Sequence, residues 1–282
     1  MTPPEGTGPD PAAPGPRPKR LARADFPYWL VATVLIGAIL SWNMLSDPVY
    51  AGILAALTRG LGVTVFVTLT AFLLATLLGL VLATGVLSRH VAARQVARFY
   101  IEIMRGVPML VLLFYVAFVG APALVAGWNW AAGWLGLPTL MTRDVSLMWR
   151  AIIALALGYA AFIAEIFRAG IQSVDPGQVE AAKALGLSGW QRFRLVVLPQ
   201  AIRTILPPLG NDFIALIKDS ALVSVLGVAD ISQLGKVYSA SSFRYFETYN
   251  VVAFLYLAMT IGLSLALRGF ERRMRRRAPD RR

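Results

Sequence analysis

The chain has 282 residues, 57% of them hydrophobic and only 15% charged, with 27 Lys and Arg against 15 Asp and Glu. A soluble domain of this length ordinarily carries about 25% charged residues, and here the charges are gathered between long apolar runs, so an ordinary soluble enzyme is excluded in favour of an integral membrane protein. There is no cysteine, which removes disulfides, zinc–thiolate sites and thiol nucleophiles, and the one histidine, His90, stands beside Arg89 in a basic stretch; no metal site and no cofactor is expected.

Residues 1–25 are rich in Pro and Gly, then basic, and predict a disordered basic cytoplasmic tail. A cleaved signal peptide fits less well, because the apolar segment that follows is too long for one and lacks a small-residue cleavage site. Six apolar spans can be drawn, at about 28–46, 61–87, 107–127, 148–167, 205–228 and 249–267, each near the ~20 residues that cross ~30 Å of hydrocarbon. The first, with Phe26, Tyr28 and Trp29 at one end and Trp42 at the other as interfacial anchors, makes 26–59 an extra N-terminal membrane helix and outer loop. Arg105-Gly106-Val107-Pro108 marks the start of the third span, where a proline in the first turn is harmless. The segment 121–147, with Trp128, Trp130, Trp134 and several glycines, predicts a long loop lying along the outer face. It reads as an aromatic belt or as part of a docking surface for an extracellular partner. Glu165 and Arg168, three apart near the inner end of the fourth span, predict a local ion pair rather than a substrate site.

The fifth span is irregular. Pro207-Pro208-Leu209-Gly210 lies near its start, and Asp212, Lys218 and Asp219 lie within it. Charge at that depth is costly unless it faces a protein interior or an aqueous path, and non-helical backbone is tolerated only in such places. A broken element is predicted, with Asp219 or Ser220 capping its second half. Asp212, Lys218, Asp219 and Ser220 are the candidate pathway or gating residues; structural hydrogen bonds between helices are the alternative for Asp212 and Lys218.

The basic residues before the first span, in the second and fourth loops and in the 269–282 tail fall on one side. Only Arg59, Arg143, Lys236 and Arg244 fall on the other. The positive-inside bias places both termini and the fourth loop in the cytoplasm. Net charge of +12 is thus an orientation signal that anionic membrane lipid can satisfy, and no nucleic-acid partner is expected.

That fourth loop, 172–200, parses into two short capped helices. Asp175-Pro176-Gly177-Gln178 offers a capping acid, a proline at the first helical position and a glutamine at the third. Gly186 offers a C-terminal stop. Ser188-Gly189-Trp190-Gln191 repeats the capping-box pattern for a second helix, which Pro199 is expected to limit. Trp190, Phe193 and Val197 share a face that would pin this second helix to the membrane domain, and Ala181 and Ala182 would let the first approach a partner's groove.

The spacing Glu180-Ala181-Ala182, Gly186, Val196, Leu198-Pro199 resembles the cytoplasmic loop of permease subunits of ATP-binding-cassette importers, with Val196 where isoleucine is more usual. The likeness extends to Tyr100–Pro108, Ala164–Ile171, Leu206–Phe213 and Leu216–Leu222, which are similar to the polar-amino-acid uptake subfamily. Together these cover most of a core at 60–268; the extra N-terminal span and the 121–147 segment depart from the shortest members. The resemblance implies an all-α polytopic membrane protein of the type I importer permease fold, in the plasma (inner) membrane of a bacterium. It implies four kinds of partner: a dimer of ATPase subunits, a second permease that is identical or homologous, an extracytoplasmic substrate-binding protein, and lipid. It implies that Glu180, Ala181, Ala182, Lys183, Gly186, Leu198 and Pro199 form the ATPase-coupling surface, with Arg105, Gly106, Pro108, Glu165 and Arg168 structural.

The residues themselves agree with a subunit that has no ATPase site of its own, since no GxxxxGK[ST] phosphate loop is present and no nucleophile–base pair can be assembled. A helix-turn-helix reading of the loop fails on reach, tethered as it is between two spans. Composition alone leaves a passive channel open, as does a permease of this fold for a different small polar solute.

Overall fold

A computed structural model describes residues 28–276 of the chain; the predicted tail at 1–25 and the end of the basic C-terminal tail lie outside them. The described residues form helices and turns without a strand: α1 (Tyr28–Ser46), α2 (Pro48–Val86), α3 (Val91–Gly106), α4 (Met109–Tyr115), α5 (Ala121–Leu135), α6 (Leu147–Gln172), α7 (Pro176–Ala184), α8 (Gly189–Arg192), α9 (Leu198–Asp219), α10 (Ile231–Ser242) and α11 (Tyr245–Arg276). The chain divides into two compact units, Met1–Ile39 and Leu40–Arg282. The described part of the first is the apolar N-terminal stretch of α1; all that follows concerns the second.

Four helical stretches among the described residues are long and apolar enough to cross a membrane: Pro48–Val86, Met109–Leu135, Leu147–Gln172 and Tyr245–Phe270. They differ in what they face. Of the most apolar window of α6, 67% is buried, against 28% for α2 and 11% for α11. Thus α6 is the central post, and the others turn much of their apolar surface outward, as helices solvated by lipid do.

The core forms where α2, α6 and α9 meet. Ala71 and Ala75 of α2 and Ala154, Ala160, Ala161 and Ala164 of α6 are fully shielded. Small residues let two backbones approach closely, which is how helices gain packing in the absence of a hydrophobic drive between them. Gly79 is the tightest point of this seam: a Cβ there would stand 2.9 Å from Ile163 Cγ2 and 3.1 Å from the Ala160 carbonyl oxygen. A second junction joins α2, α10 and α11. Asp230 caps α10 by accepting from Gln233 N (2.8 Å) and receives the Tyr256 hydroxyl (3.1 Å), while Ile231 N donates to Thr64 Oγ1 (3.3 Å). Gly60 lies so close to this turn that a Cβ would meet Ile231 N at 2.6 Å.

Three expectations are revised. The outer loop predicted before residue 60 is helical. Asp47 accepts from Val49 N (2.8 Å) and Pro48 occupies the first turn, so α2 starts there and runs for 39 residues, nearly 60 Å at about 1.5 Å per residue. The predicted loop at 121–147 is mostly helix as well. A π-turn at Val116–Gly120 carries α4 directly into α5, and the loop proper begins at Gly136, which ends α5 with φ 66°. This shorter loop is pinned: Asn129 exchanges two hydrogen bonds with Leu140 (2.8 and 2.7 Å) and Trp128 Nε1 donates to the Pro138 carbonyl (3.1 Å). Arg150, which is buried, donates to the carbonyls of Val145 (2.8 Å), Ala117 (3.1 Å) and Thr142. Finally, α9 is not broken at its prolines. It passes through Pro207-Pro208 as far as Asp219, because Ile205 and Leu209 pack against Ile166, Phe167 and Ile171 of α6 and neighbouring helices can hold a proline-bearing turn. The change of structure comes later, as a 3-10 turn over Ser220–Leu226 closed by Gly227 at φ 80°. Neither Asp219 nor Ser220 acts as an N-cap. Asp219 makes no capping bond to the backbone, and the Ser220 hydroxyl donates back to the Ile217 carbonyl (2.7 Å).

Replacing Gly79 by leucine forces four extra carbons into the α2–α6 seam, a change that costs about 1–3 kcal/mol. We expect Gly79→Leu to lower the midpoint of thermal unfolding in detergent by several degrees while Gly62→Leu, at a glycine of α2 with open space around it, leaves it unchanged.

Candidate functional site

The loop between α6 and α9 is built as a rigid element. Asp175 accepts from Gly177 N (2.8 Å) with Pro176 at the first helical position, which starts α7. Its end is a Schellman motif: Gly186 takes φ 77°, its N–H bonds the Lys183 carbonyl (3.0 Å), and Leu187 N bonds the Ala182 carbonyl (3.2 Å). Ser188 and Gln191 form the expected capping box at 3.3 and 2.8 Å. Two details differ from expectation. Gln178 does not turn back to its own cap; its Oε1 accepts from Gln200 Nε2 (2.6 Å), which also donates to the Val196 carbonyl (2.9 Å), so α7 is tied to the start of α9. Pro199 does not stop the second helix. A π-turn over Phe193–Val197 joins α8 to α9, and the proline falls in the first turn of α9, where its missing N–H is tolerated.

Exposure sorts the loop's residues into two roles. Ala182 is buried and positions α7 within the chain rather than offering a surface, whereas Glu180, Ala181, Lys183, Gly186 and Pro199 are exposed and Leu198 is half-buried. Val197 packs with Val174, Ala201 and Ile205, as an anchor should. Trp190 does not anchor. It is 67% exposed, stacks on Phe193 at 5.8 Å, and with Leu185 at 81% and Leu195 at 61% leaves apolar side chains uncovered on the loop. Leu185 was not singled out by sequence; the signal was its place immediately before the helix-ending glycine.

Above the loop lies a cavity of about 380 Å³ lined by Met104, Arg105, Val107, Pro108, Met109, Tyr159, Phe162, Asp212, Ala215 and Asp219. Tyr159 is the thirteenth of the 26 residues of α6, so the cavity sits near mid-helix. Its hydroxyl donates to Asp219 Oδ2 (2.8 Å), and Asp212 Oδ2 is buried with no hydrogen-bond partner among the described residues. The structure therefore brings together Asp212 and Asp219, and adds Arg105 and Pro108, whose expected role was structural. It leaves Lys218 and Ser220 out of the lining: Lys218 is exposed and Ser220 is buried against its own helix. Tyr159 was missed, since nothing in the sequence distinguishes it from an ordinary core tyrosine.

A second, more polar cavity of about 480 Å³ lies toward the loop end of α6, lined by Val86, Arg98, Glu102, Arg105, Glu165, Arg168 and Gln172. The expected pair is here: Arg168 reaches Glu165 Oε2 through Nε (2.9 Å) and a terminal nitrogen (2.5 Å) and gives its other nitrogen to Gln172 Oε1 (2.6 Å). Gly106, at the end of α3, has open space where a Cβ would be.

A capped two-helix loop beneath a mid-helix cavity that holds two carboxylates fits a transporter's membrane subunit, and the comparisons agree. Residues 75–276 match the family described as binding-protein-dependent transport system inner membrane component. The chain belongs to that family and is an ATP-binding-cassette permease with the type I importer permease fold. "Probable amino-acid permease protein YxeN" of Bacillus subtilis (strain 168) is 38% identical over 220 residues, covering 77% of this chain and 91% of that protein. "L-cystine transport system permease protein TcyL" of the same organism is 37% identical over 234 residues, covering 83% and 91%. The crystal structure of an amino acid ABC transporter with histidines superposes at a TM-score of 0.67 with 37% identity, over 82% of this chain and 98% of that one.

The positive φ at Gly186 gives a local prediction. A β-branched residue in a left-handed conformation costs about 1–2 kcal/mol, whereas asparagine tolerates it. Limited proteolysis of Gly186→Val should cut between α7 and α8 faster than in the wild type, and Gly186→Asn should be cut at the wild-type rate.

Proposed function

We propose that this chain is the pathway subunit of a bacterial plasma-membrane importer for polar or charged amino acids or close analogues. It works beside a second permease, identical or homologous, and receives cargo from an extracytoplasmic substrate-binding protein. A separate pair of ATPase subunits drives it through the loop at 172–200, which faces the cytoplasm. The observation that carries this proposal is the cavity at mid-helix: two carboxylates, Asp212 and Asp219, one of them with an unpaired buried oxygen, line it together with Arg105, Tyr159 and a set of apolar side chains. Buried polar atoms need partners, and the ammonium of an amino acid supplies one. The names of the relatives support an amino acid as cargo.

The loop supports the coupling half of the proposal. Exposed Leu185 and Trp190 on a framework fixed by caps at both ends are suited to seating in a partner's groove, with Glu180 and Lys183 as rim contacts. Closure of the ATPase pair on nucleotide then displaces α7 and α8 and, through α9, moves Asp212 and Asp219 relative to Tyr159, alternating access to the cavity.

Reconstitution with a cognate ATPase and substrate-binding protein tests the proposal. Uptake of radiolabelled amino acids into proteoliposomes should require both ATP and the binding protein. Asp219→Asn should reduce it tenfold or more, with binding to the substrate-binding protein unchanged. Gly186→Val should abolish the stimulation of ATP hydrolysis by loaded binding protein at a normal membrane level of the chain. Uptake that proceeds without nucleotide would mean a passive channel, and normal coupled transport by Gly186→Val would remove the loop from the mechanism.

A further inference from the structure

Among the described residues, Arg105 is the one that lines both the mid-helix cavity and the polar cavity nearer the loop. On its first side stand Asp212 and Asp219; on its second stand Glu102 and Glu165 together with the cations Arg98 and Arg168. The residue sits at the end of α3, followed by Gly106, and Val107 and Pro108 run extended before α4 begins. Arg105 itself is helical, in the last turn of α3, and its side chain is exposed. Its guanidinium lies 6.0 Å from the centre of the Phe162 ring and makes no hydrogen bond or ion pair among the described residues. The contrast with Arg168 is informative. That arginine belongs to the same polar cavity, but its donors are engaged by Glu165 and Gln172. Arg105 is a cation without a fixed partner at the junction of two chambers, each of which offers it carboxylates.

Resting on the pathway proposed above, we infer that Arg105 is the charge-selecting residue of the passage between the two chambers. It draws the carboxylate of the travelling amino acid out of the acidic cavity toward the polar one. The carboxylates of the first chamber hold the ammonium end of a zwitterion, and Arg105 meets its other end on the exit side. A simple amine, lacking a carboxylate, meets a positive charge at the same point and has no group to pair with it. Phe162 holds the guanidinium over the opening by a cation–π contact, which is weak enough to exchange for a carboxylate.

The chain has no cysteine, so one introduced thiol can be followed without interference from others in this subunit. Ala215→Cys places a thiol in the mid-helix chamber and Gln172→Cys places one in the polar chamber. Inside-out membrane vesicles carrying the assembled transporter are treated with two methanethiosulfonates of matched size, one with a sulfonate and one with a trimethylammonium group. Modification of this chain is read by mass. A passage charged with one sign raises the local concentration of the opposite charge by roughly tenfold or more. The ratio of sulfonate to trimethylammonium labelling at Ala215→Cys should therefore fall by about that factor when Arg105→Gln is added, and should be retained with Arg105→Lys. Labelling of Gln172→Cys proceeds in every background.

An unchanged ratio in Arg105→Gln overturns the inference, as does an Ala215→Cys that resists both reagents while Gln172→Cys reacts. Should Gln172→Cys react only from the opposite membrane face, the orientation assumed in the function proposal has failed, and the Arg105 ratio is then read from that face with the same two outcomes. If Arg105→Gln does not assemble, the salt response of the otherwise wild-type Ala215→Cys chain decides. Screening weakens the pull of an exposed cation, so sulfonate labelling should slow as ionic strength rises, and a flat or rising rate counts against Arg105.

Discussion

The close approach of α2 to α6 is the constraint from which the rest of the molecule follows. In a bilayer, two apolar helices gain nothing from burial against each other that lipid would not supply, so they associate by packing density. Gly79 and the run of alanines on both helices provide that density, with no room for a Cβ at Gly79. Once α6 is held on this side, its other faces are committed. Tyr159 and Phe162 are fixed beside α4 and α9 at mid-helix, and Glu165, Arg168 and Gln172 at the loop end. Gly170 then lets Ile205 and the Ala201 backbone lie against α6, which docks α9 and sets the height of Asp212 and Asp219.

The loop inherits its geometry from the same frame. Both of its ends are attached to the seam: α6 leads into Asp175, and α8 passes through the π-turn into α9. The helical stretch from Gly189 to Asp219 is continuous and measures about 45 Å at 1.5 Å per residue. That is longer than the hydrocarbon is thick, so one rod connects the exposed Trp190 to the carboxylates of the cavity. On the way lie the proline pair Pro207-Pro208 and the π-turn at Phe193–Val197, a kind of helix defect often found where function requires a local change of shape. Gln178 and Gln200 tie α7 to this rod.

Much of this was legible from residue order, and the parts that were not have physical reasons. The helical class, the caps at Asp175 and Ser188, the left-handed glycine at 186 and the Glu165–Arg168 pair are local, so neighbours in sequence suffice to predict them. Errors arose where tertiary packing overrode local chemistry. Pro199 and the Pro207-Pro208 pair look like breaks, yet neighbouring helices hold α9 together through both. The glycines and tryptophans after residue 121 look like loop, yet α5 continues across them as helix. Ala182 has the small side chain expected of a contact surface, but burial within the chain takes it out of reach. The cavity was half visible: Asp212 and Asp219 announce themselves as charges in an apolar run. Tyr159 and Arg105 join them only through packing between distant segments, which no local pattern records.

The central claim is that the apolar tip of the 172–200 loop is where an external ATPase takes hold of the pathway. A photo-crosslinking amino acid placed at Leu185 in the assembled transporter, compared with the same group at Trp134 on α5, tests it most directly. The account predicts that Leu185 crosslinks to the ATPase subunit in high yield and Trp134 does not. Crosslinking of the ATPase through Trp134, or of Leu185 to lipid alone, would contradict it.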